Sequence, residues 1–193
     1  IKRAIRDLYN KDITEVQVDG EAGYRDAKDF MRMIMPSHAK NMKPYKEALP
    51  LFQRFQVESQ LDAMFSPTVT LRSGGYIVIN QTEALVSIDI NTGKFVGKGN
   101  SLEETITRTN IEAVKEIVKQ IRLRDLGGII VIDFIDMENE ANKRRVLNEM
   151  RNNLKYDRAR TKVFQISGLG LIEMSRQRVR PSLLSQLSDP CPY

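Results

Sequence analysis

The chain has one cysteine and one histidine among 193 residues, and each scarcity closes off a class of chemistry. Cys191 has no second thiol with which to form an intrachain disulfide, so the fold must rest on a packed core. It cannot complete a zinc site from one chain either, and a lone thiol beside Pro192 points to an interrupted motif or an intermolecular ligand. His38 stands in a polar connector after Pro36 with no evident partner, which argues against a catalytic role. Long apolar runs are missing as well. No stretch approaches the ~18–20 residues needed to cross a bilayer, and the basic opening IKRAIRDLYN is not followed by a secretory apolar region. These absences predict a soluble, cytoplasmic chain without a transmembrane segment. With 11 Gly, 7 Pro, 41% apolar and 28% charged residues, collagen, coiled coil and whole-chain disorder are excluded, leaving one ordinary domain or two small ones. Nucleotide loops are unsupported: GKGNS from Gly97 lacks the phosphate-loop spacing, and Gly168 with Gly170 does not complete a dinucleotide fingerprint.

What is present is a localised excess of positive charge. The net charge is only +5, yet residues 140–180 hold 11 Lys and Arg against 4 Asp and Glu. Arginine predominates there, and its planar fork suits bidentate contact with phosphate oxygens, so this surface is suited to a polyanion. A solvated helix face is an equally available reading for the part from Lys143 to Lys155.

Periodicity outlines the organisation. Ile1, Ile5 and Leu8 have helical spacing, EVQVD at 15–19 alternates as a strand, and residues 21–35 are helical up to Pro36, with Met31, Met33 and Met35 read as core filler. Residues 40–50 read as a loop and 56–65 as a short helix, with a boundary at Ser66-Pro67. Three strands follow at 68–71, 76–80 and 84–91 as a β-meander. Ser101 and Glu104 form a capping box before a long amphipathic helix that ends at Gly127-Gly128. The β-branched run Ile129–Ile132, leading into Asp133, reads as a strand buried on both faces. A helix over 139–156 and strands over 161–167 and 171–179 complete the pattern, the last placing Arg176, Arg178 and Arg180 on one face. The order βββ-α-β-α-β-β predicts an α/β fold.

Two acids stand out against this pattern. Asp89 and Asn91 alternate with Ile88 and Ile90, so both polar side chains leave one face of a strand. Asp133 ends the most hydrophobic strand, where a carboxylate is costly unless paired or bound to a cation. If the two strands are neighbours, ~4.8 Å apart, both carboxylates can reach one Mg²⁺ beside a substrate phosphate, the arrangement of a phosphodiesterase. The residues alone leave other uses open: Asp89 could cap a turn with Asn91, and Asp133 could pair with a nearby arginine.

The motifs SGGYIVINQTEALVSIDINTG (73–93), SLEETITRTNIEAVKEIVKQIRLRDLGGIIVIDFIDM (101–137), YDRAR (156–160) and LIEMSRQRVRPSL (171–183) resemble the catalytic region of the ribonuclease E/G family of bacterial endoribonucleases. The resemblance implies a mixed-sheet deoxyribonuclease-I-like subdomain over residues 68–185, preceded at 1–67 by part of an RNase H-like α/β segment and followed at 186–193 by the start of a zinc link. It implies that Asp89 and Asp133 hold a catalytic Mg²⁺, that Asn91 assists, and that Arg160 lies near the scissile phosphate, with Arg158, Arg176 and Arg178 also meeting RNA. It implies a single-stranded RNA substrate cut at A/U-rich sites to leave 5′-phosphate and 3′-hydroxyl ends, in messenger decay and in ribosomal and transfer RNA processing. Members are homo-oligomers with a Zn²⁺ shared between protomers through a CPxC motif, of which Cys191 is the first ligand and the second is absent here, and some join RNA-degradation assemblies. They also carry a preceding OB-fold and a 5′-monophosphate pocket without a counterpart before Ile1, so the chain is expected to be a fragment.

Overall fold

Of the apolar residues spaced along α1 (Lys2–Leu8) and its N-cap Ile1, Ile5 alone is buried, while Ile1 and Leu8 face solvent. The computed structural model describes residues 1–93, 102–167 and 169–189, and the chain divides into two units, Ile1–Leu61 and Asp62–Tyr193. In the first unit β1 (Val16–Val18) is followed by α2 (Glu21–Ile34), a 3₁₀ turn (Pro36–Asn41) and β2 (Met42–Pro44), which pairs parallel with β1. Residues 42–44 had the composition of a loop. Three residues ending in Pro44 are too few to show alternation, and it is the partner strand that makes them extended. Ala27 and Met31, one helical turn apart, are fully buried, whereas Met33 projects from the opposite side with 72% exposure, so the methionine cluster splits. His38 lies edge-on to Tyr9, with ring centroids 5.9 Å apart, and contacts Ser37. Two short helices, α3 (Leu51–Arg54) and α4 (Val57–Ala63), lead across the division between the units.

The second unit is built on a mixed sheet of six strands in the order β3-β4-β5-β6-β8-β7. Its members are β3 (Thr68–Thr70), β4 (Tyr76–Gln81), β5 (Leu85–Asn91), β6 (Gly128–Asp133), β7 (Thr161–Ile166) and β8 (Leu171–Arg176). β3, β4 and β5 form the expected antiparallel meander. From β5 the chain crosses through α5 (Leu102–Leu123) to β6, which therefore lies parallel to β5. Next comes α6 (Glu140–Leu154), and after β8 the short α7 (Leu183–Leu187). Ser101 of the expected capping box lies outside the described residues.

Ala113, Val114, Ile117 and Ile121 of α5, with Val146 and Met150 of α6, share one core with the inward residues of the sheet: Ile77, Ile79, Ile88, Ile90, Ile130, Ile132, Ile172 and Met174. The opposite residues of the same strands remain half-buried or exposed. β6 departs from expectation here. Its β-branched run is covered on one side only, and Ile129 is 56% exposed on the other. The helices dictate this: both crossovers supply apolar stripes to the same face, so every second side chain of β5 and β6 is left on an open face.

Candidate active site

Asp89 and Asp133 are register partners on β5 and β6. Each is the outward residue of its alternation, following a buried isoleucine (Ile88 and Ile132), and both are exposed. In a parallel pair, register partners project from the same face of neighbouring strands. The two carboxylates thus stand side by side at the carboxyl ends of parallel strands, the place where open α/β sheets collect ligands.

The electrostatics record this closeness. Partial burial pushes the Asp133 carboxyl above the ordinary carboxylate range, and the charges of Asp89 and then Asp136 raise it further. No lysine or arginine among the described residues forms an ion pair with Asp89 or Asp133. The alternative in which Asp133 is neutralised by an arginine is therefore not the arrangement adopted. Asn91 donates from Nδ2 to Asp89 Oδ2 at 2.9 Å, fixing the carboxylate's orientation.

Glycines hold the end of β5 in place. A Cβ on Gly75 would fall 2.6 Å from the Asn91 carbonyl oxygen, and one on Gly93, whose φ is +63°, would fall 2.6 Å from that of Gly74. Only glycine allows the β3–β4 turn to lie this close against the strand that carries Asp89 and Asn91.

A second device holds the chain beyond Asp133. Asn110, fully buried on α5, donates from Nδ2 to the Ile135 carbonyl at 2.8 Å and accepts from the Ile135 N–H at 3.2 Å. The sequence reading missed it. Its signal was an amide on the apolar stripe, one turn from both Ile106 and Val114. Near the start of α5, Glu103 accepts from the N–H of Asn139 at 3.1 Å and from Asn142 Nδ2 at 3.1 Å, tying α5 to the start of α6. The Asn142 and Asn139 hydrogen bonds hold the Glu103 carboxyl below its usual range.

The arginines are dispersed. Arg176 was expected to meet RNA, but its side chain is buried: Nε and Nη2 donate to Asp157 at 2.7 and 3.0 Å, and Nη1 donates to the Leu126 carbonyl at 2.8 Å. It is an internal strut of the fold. β8 ends at Arg176, so Arg178 and Arg180 do not share a strand face with it. Arg178 is exposed and lies against Gly127 and Gly128, and Arg180 pairs with Asp125 at 2.7 Å. Arg158 and Arg160 are exposed, but the register separates Arg160 from the acids. Asp133 faces Leu171 at the start of β8, while Arg176 at its other end faces Thr161. Arg160, one residue before Thr161 and bonded through its carbonyl to the Gln177 N–H, is therefore displaced from the level of Asp133 by about 20 Å along the strands. Cys191 lies outside the described residues.

Among the described residues no group of three or more His, Cys, Asp or Glu side chains is placed to hold a metal. The donor set is two carboxylates and a neighbouring amide. That suits a hard divalent cation which keeps most of its ligands as water and substrate oxygen, and it suits zinc poorly. No described helix is long and apolar enough to cross a membrane.

The model of the ribonuclease E/G family matches residues 1–179. Ribonuclease E of Haemophilus influenzae is 45% identical over 192 residues, covering 100% of this chain and 20% of that protein. Ribonuclease G of Escherichia coli is 43% identical over 191 residues, covering 99% of this chain and 39% of that protein. A chloroplastic ribonuclease E/G-like protein of Arabidopsis thaliana is 40% identical over 188 residues, covering 97% of this chain and 19% of that protein. The chain thus spans between about a fifth and two fifths of the length of these relatives, and over nearly all of its own length it belongs to the ribonuclease E/G family.

Proposed function

We propose that this chain forms the catalytic part of a Mg²⁺-dependent endoribonuclease acting on single-stranded RNA, as a piece of the larger machinery that processes and degrades cellular RNA. The observation that carries the reading is the in-register pair of unneutralised carboxylates, Asp89 and Asp133, on the open face of the sheet. The names of the relatives supply RNA as the substrate.

Mg²⁺ bound there would neutralise the two carboxylates and act as a Lewis acid toward a phosphodiester. The chain's own groups do the rest. Asp89 and Asp133 would hold the ion, and the amide of Asn91, donating to Asp89 Oδ2, would fix the orientation of that carboxylate. Asn110 sets the path of the backbone leaving Asp133. Water attacks phosphorus and the 3′ oxygen departs, taking a proton, which leaves a 5′-phosphate and a 3′-hydroxyl. Arg158 and Arg160 contact the RNA away from the reacting phosphate.

Matched RNA and DNA oligonucleotides incubated with Mg²⁺ test the reading. RNA is expected to be cut, with 5′-phosphate ends, and Asp89→Asn or Asp133→Asn is expected to abolish cleavage while leaving RNA affinity largely intact. Retained cleavage in both variants, or equal cleavage of DNA, would remove it.

A further inference from the structure

The basic run on α6 has no part in the acid site, yet it is organised. Arg144, Asn148 and Arg151 follow at spacings of four and three, so they share one side of the helix. That side borders a groove of ≈340 Å³ whose other wall is the edge strand β7, represented by Gln165 and Ile166. Leu147 and Ile166 make an apolar floor beneath it.

A solvated helix face would have its cations answered by acids one turn away; Glu140 lies four residues before Arg144 and lines the groove itself, but it is engaged by another cation. Of the two acids of α6, Glu140 engages Lys143 at 2.7 Å, and Glu149 faces Lys115 at 3.7 Å and Asn153. Arg144 and Arg151 have no acidic partner among the described residues. Two free guanidinium forks therefore stand over an apolar floor, with the amides of Asn148 and Gln165 beside them. Forks suit phosphate oxygens, an apolar floor suits the face of a base, and an amide can satisfy any base edge.

The groove also adjoins the segment that follows Asp133. A second hollow of ≈190 Å³ shares Lys143 and Ile166 with it and extends to Asp136, on the segment that follows Asp133, and to Gly170, just before β8. Neither acid of the pair lines it, so a strand held in the groove would round the carboxyl end of β6, past Asp136, to reach the open face that carries Asp89 and Asp133.

We propose that the α6–β7 groove is a second RNA-binding site, in which Arg144 and Arg151 grip backbone phosphates of the strand several nucleotides from the acid pair. This rests on the nuclease reading for the identity of the polymer. It assigns the groove the role of holding long substrates and leaves the chemistry to the acids.

The test is the double variant Arg144→Gln/Arg151→Gln, both exposed positions, with unchanged thermal midpoint as the check on folding. Affinity is measured by fluorescence anisotropy in Ca²⁺ over a range of salt, for a long single-stranded RNA and for a short one confined to the acid pair. The long RNA is expected to bind about tenfold more weakly, with a salt slope shallower by about 1.4, since two phosphate contacts are lost. The short RNA is expected to bind as before, and in Mg²⁺ KM for the long RNA rises while kcat holds. Unchanged affinity and slope for the long RNA would overturn the proposal, as would an equal loss for the short one. Polyglutamate binding as tightly as RNA and lost in the same variant would overturn it too, marking an acidic-polypeptide surface. Asp89→Asn measured in parallel keeps the two ideas separate. A wild-type chain that binds long RNA through α6 but never cleaves it supports the groove and sinks the nuclease reading, whereas cleavage abolished by Asp89→Asn with the groove variant unaffected does the reverse.

Discussion

The side chain of Asn110 forms both hydrogen bonds that the backbone of Ile135 would otherwise seek from a neighbouring strand, donating at 2.8 Å and accepting at 3.2 Å. β6 has ended at Asp133, and the segment that carries Asp136 must leave the sheet without losing its pairing. A buried amide on α5 makes that exit possible.

Asn110→Leu is accordingly expected to cost about 2–3 kcal/mol in urea denaturation, because it leaves a buried N–H and a buried carbonyl unpaired. Asn110→Asp keeps the acceptor and loses the donor, so half of the pairing is removed and a charge is buried. Cleavage should fall in both variants even at temperatures where they remain folded, since the segment after Asp133 is no longer fixed. Full activity in a folded Asn110→Leu variant would show that this clamp serves stability alone.

The Arg176–Asp157 pair makes a separate statement about stability. Burial pushes the Asp157 carboxyl up, but the Arg176 hydrogen bonds, the Ala159 N–H and the charges of Arg176 and Arg122 outweigh it, and the net shift is downward. A depressed native pKa contributes stability that is present above the unfolded carboxylate pKa and is lost as pH falls through the native value. Asp157→Asn is expected to flatten the acid limb of the stability profile. Arg176→Ala should be worse, about 3–5 kcal/mol by urea denaturation, since it strands a buried carboxylate and the Leu126 carbonyl. Arg176→Lys, lacking the fork, should recover only part of that loss.

Asp133 has the opposite sign. Its native pKa is raised by burial and by Asp89 and Asp136, so its ionisation costs stability as pH climbs through that raised value. In EDTA at pH 7, Asp133→Asn is expected to melt slightly higher than the parent, by about 1–2 °C given its exposure, and the difference should vanish at pH 3 where the acid is neutral in both states. Melting at a lower temperature than the parent at pH 7 would contradict the repulsion between the paired acids.

The alternation Ile88-Asp89-Ile90-Asn91 was enough to place two polar groups on one face, because a period of two leaves no other choice for a half-covered strand. The neighbouring strand could be guessed but not its register, which depends on how α5 returns the chain. β6 misled in one respect. A run of β-branched residues reads as doubly buried, but whether a second layer covers it is decided by where the helices go, and here both helices chose the same face. Arg176 misled for a related reason. A basic residue near the end of an exposed-looking strand resembles a ligand contact until its partner is known, and Asp157 is 19 residues away in sequence. Short-range pattern fixes orientation; long-range pairing decides whether a charge is offered to solvent or used inside.

The paired acids should also make stability depend on divalent cation. A ligand that binds only the folded chain stabilises it by an amount that grows with the logarithm of its concentration, about 1.4 kcal/mol at ten times its Kd. Mg²⁺ is therefore expected to raise the thermal midpoint of the parent progressively, and EDTA to reverse the rise. The increment should disappear in Asp89→Asn and in Asp133→Asn, since one carboxylate alone binds a strongly hydrated ion weakly. Asn91→Ala should retain a reduced increment, because both carboxylates remain but Asp89 has lost the amide that orients it. Asp157→Asn, distant in role, should keep the full increment on a lower baseline. A Mg²⁺ response that survives loss of either acid would place the ion elsewhere and separate cation binding from the Asp89–Asp133 pair.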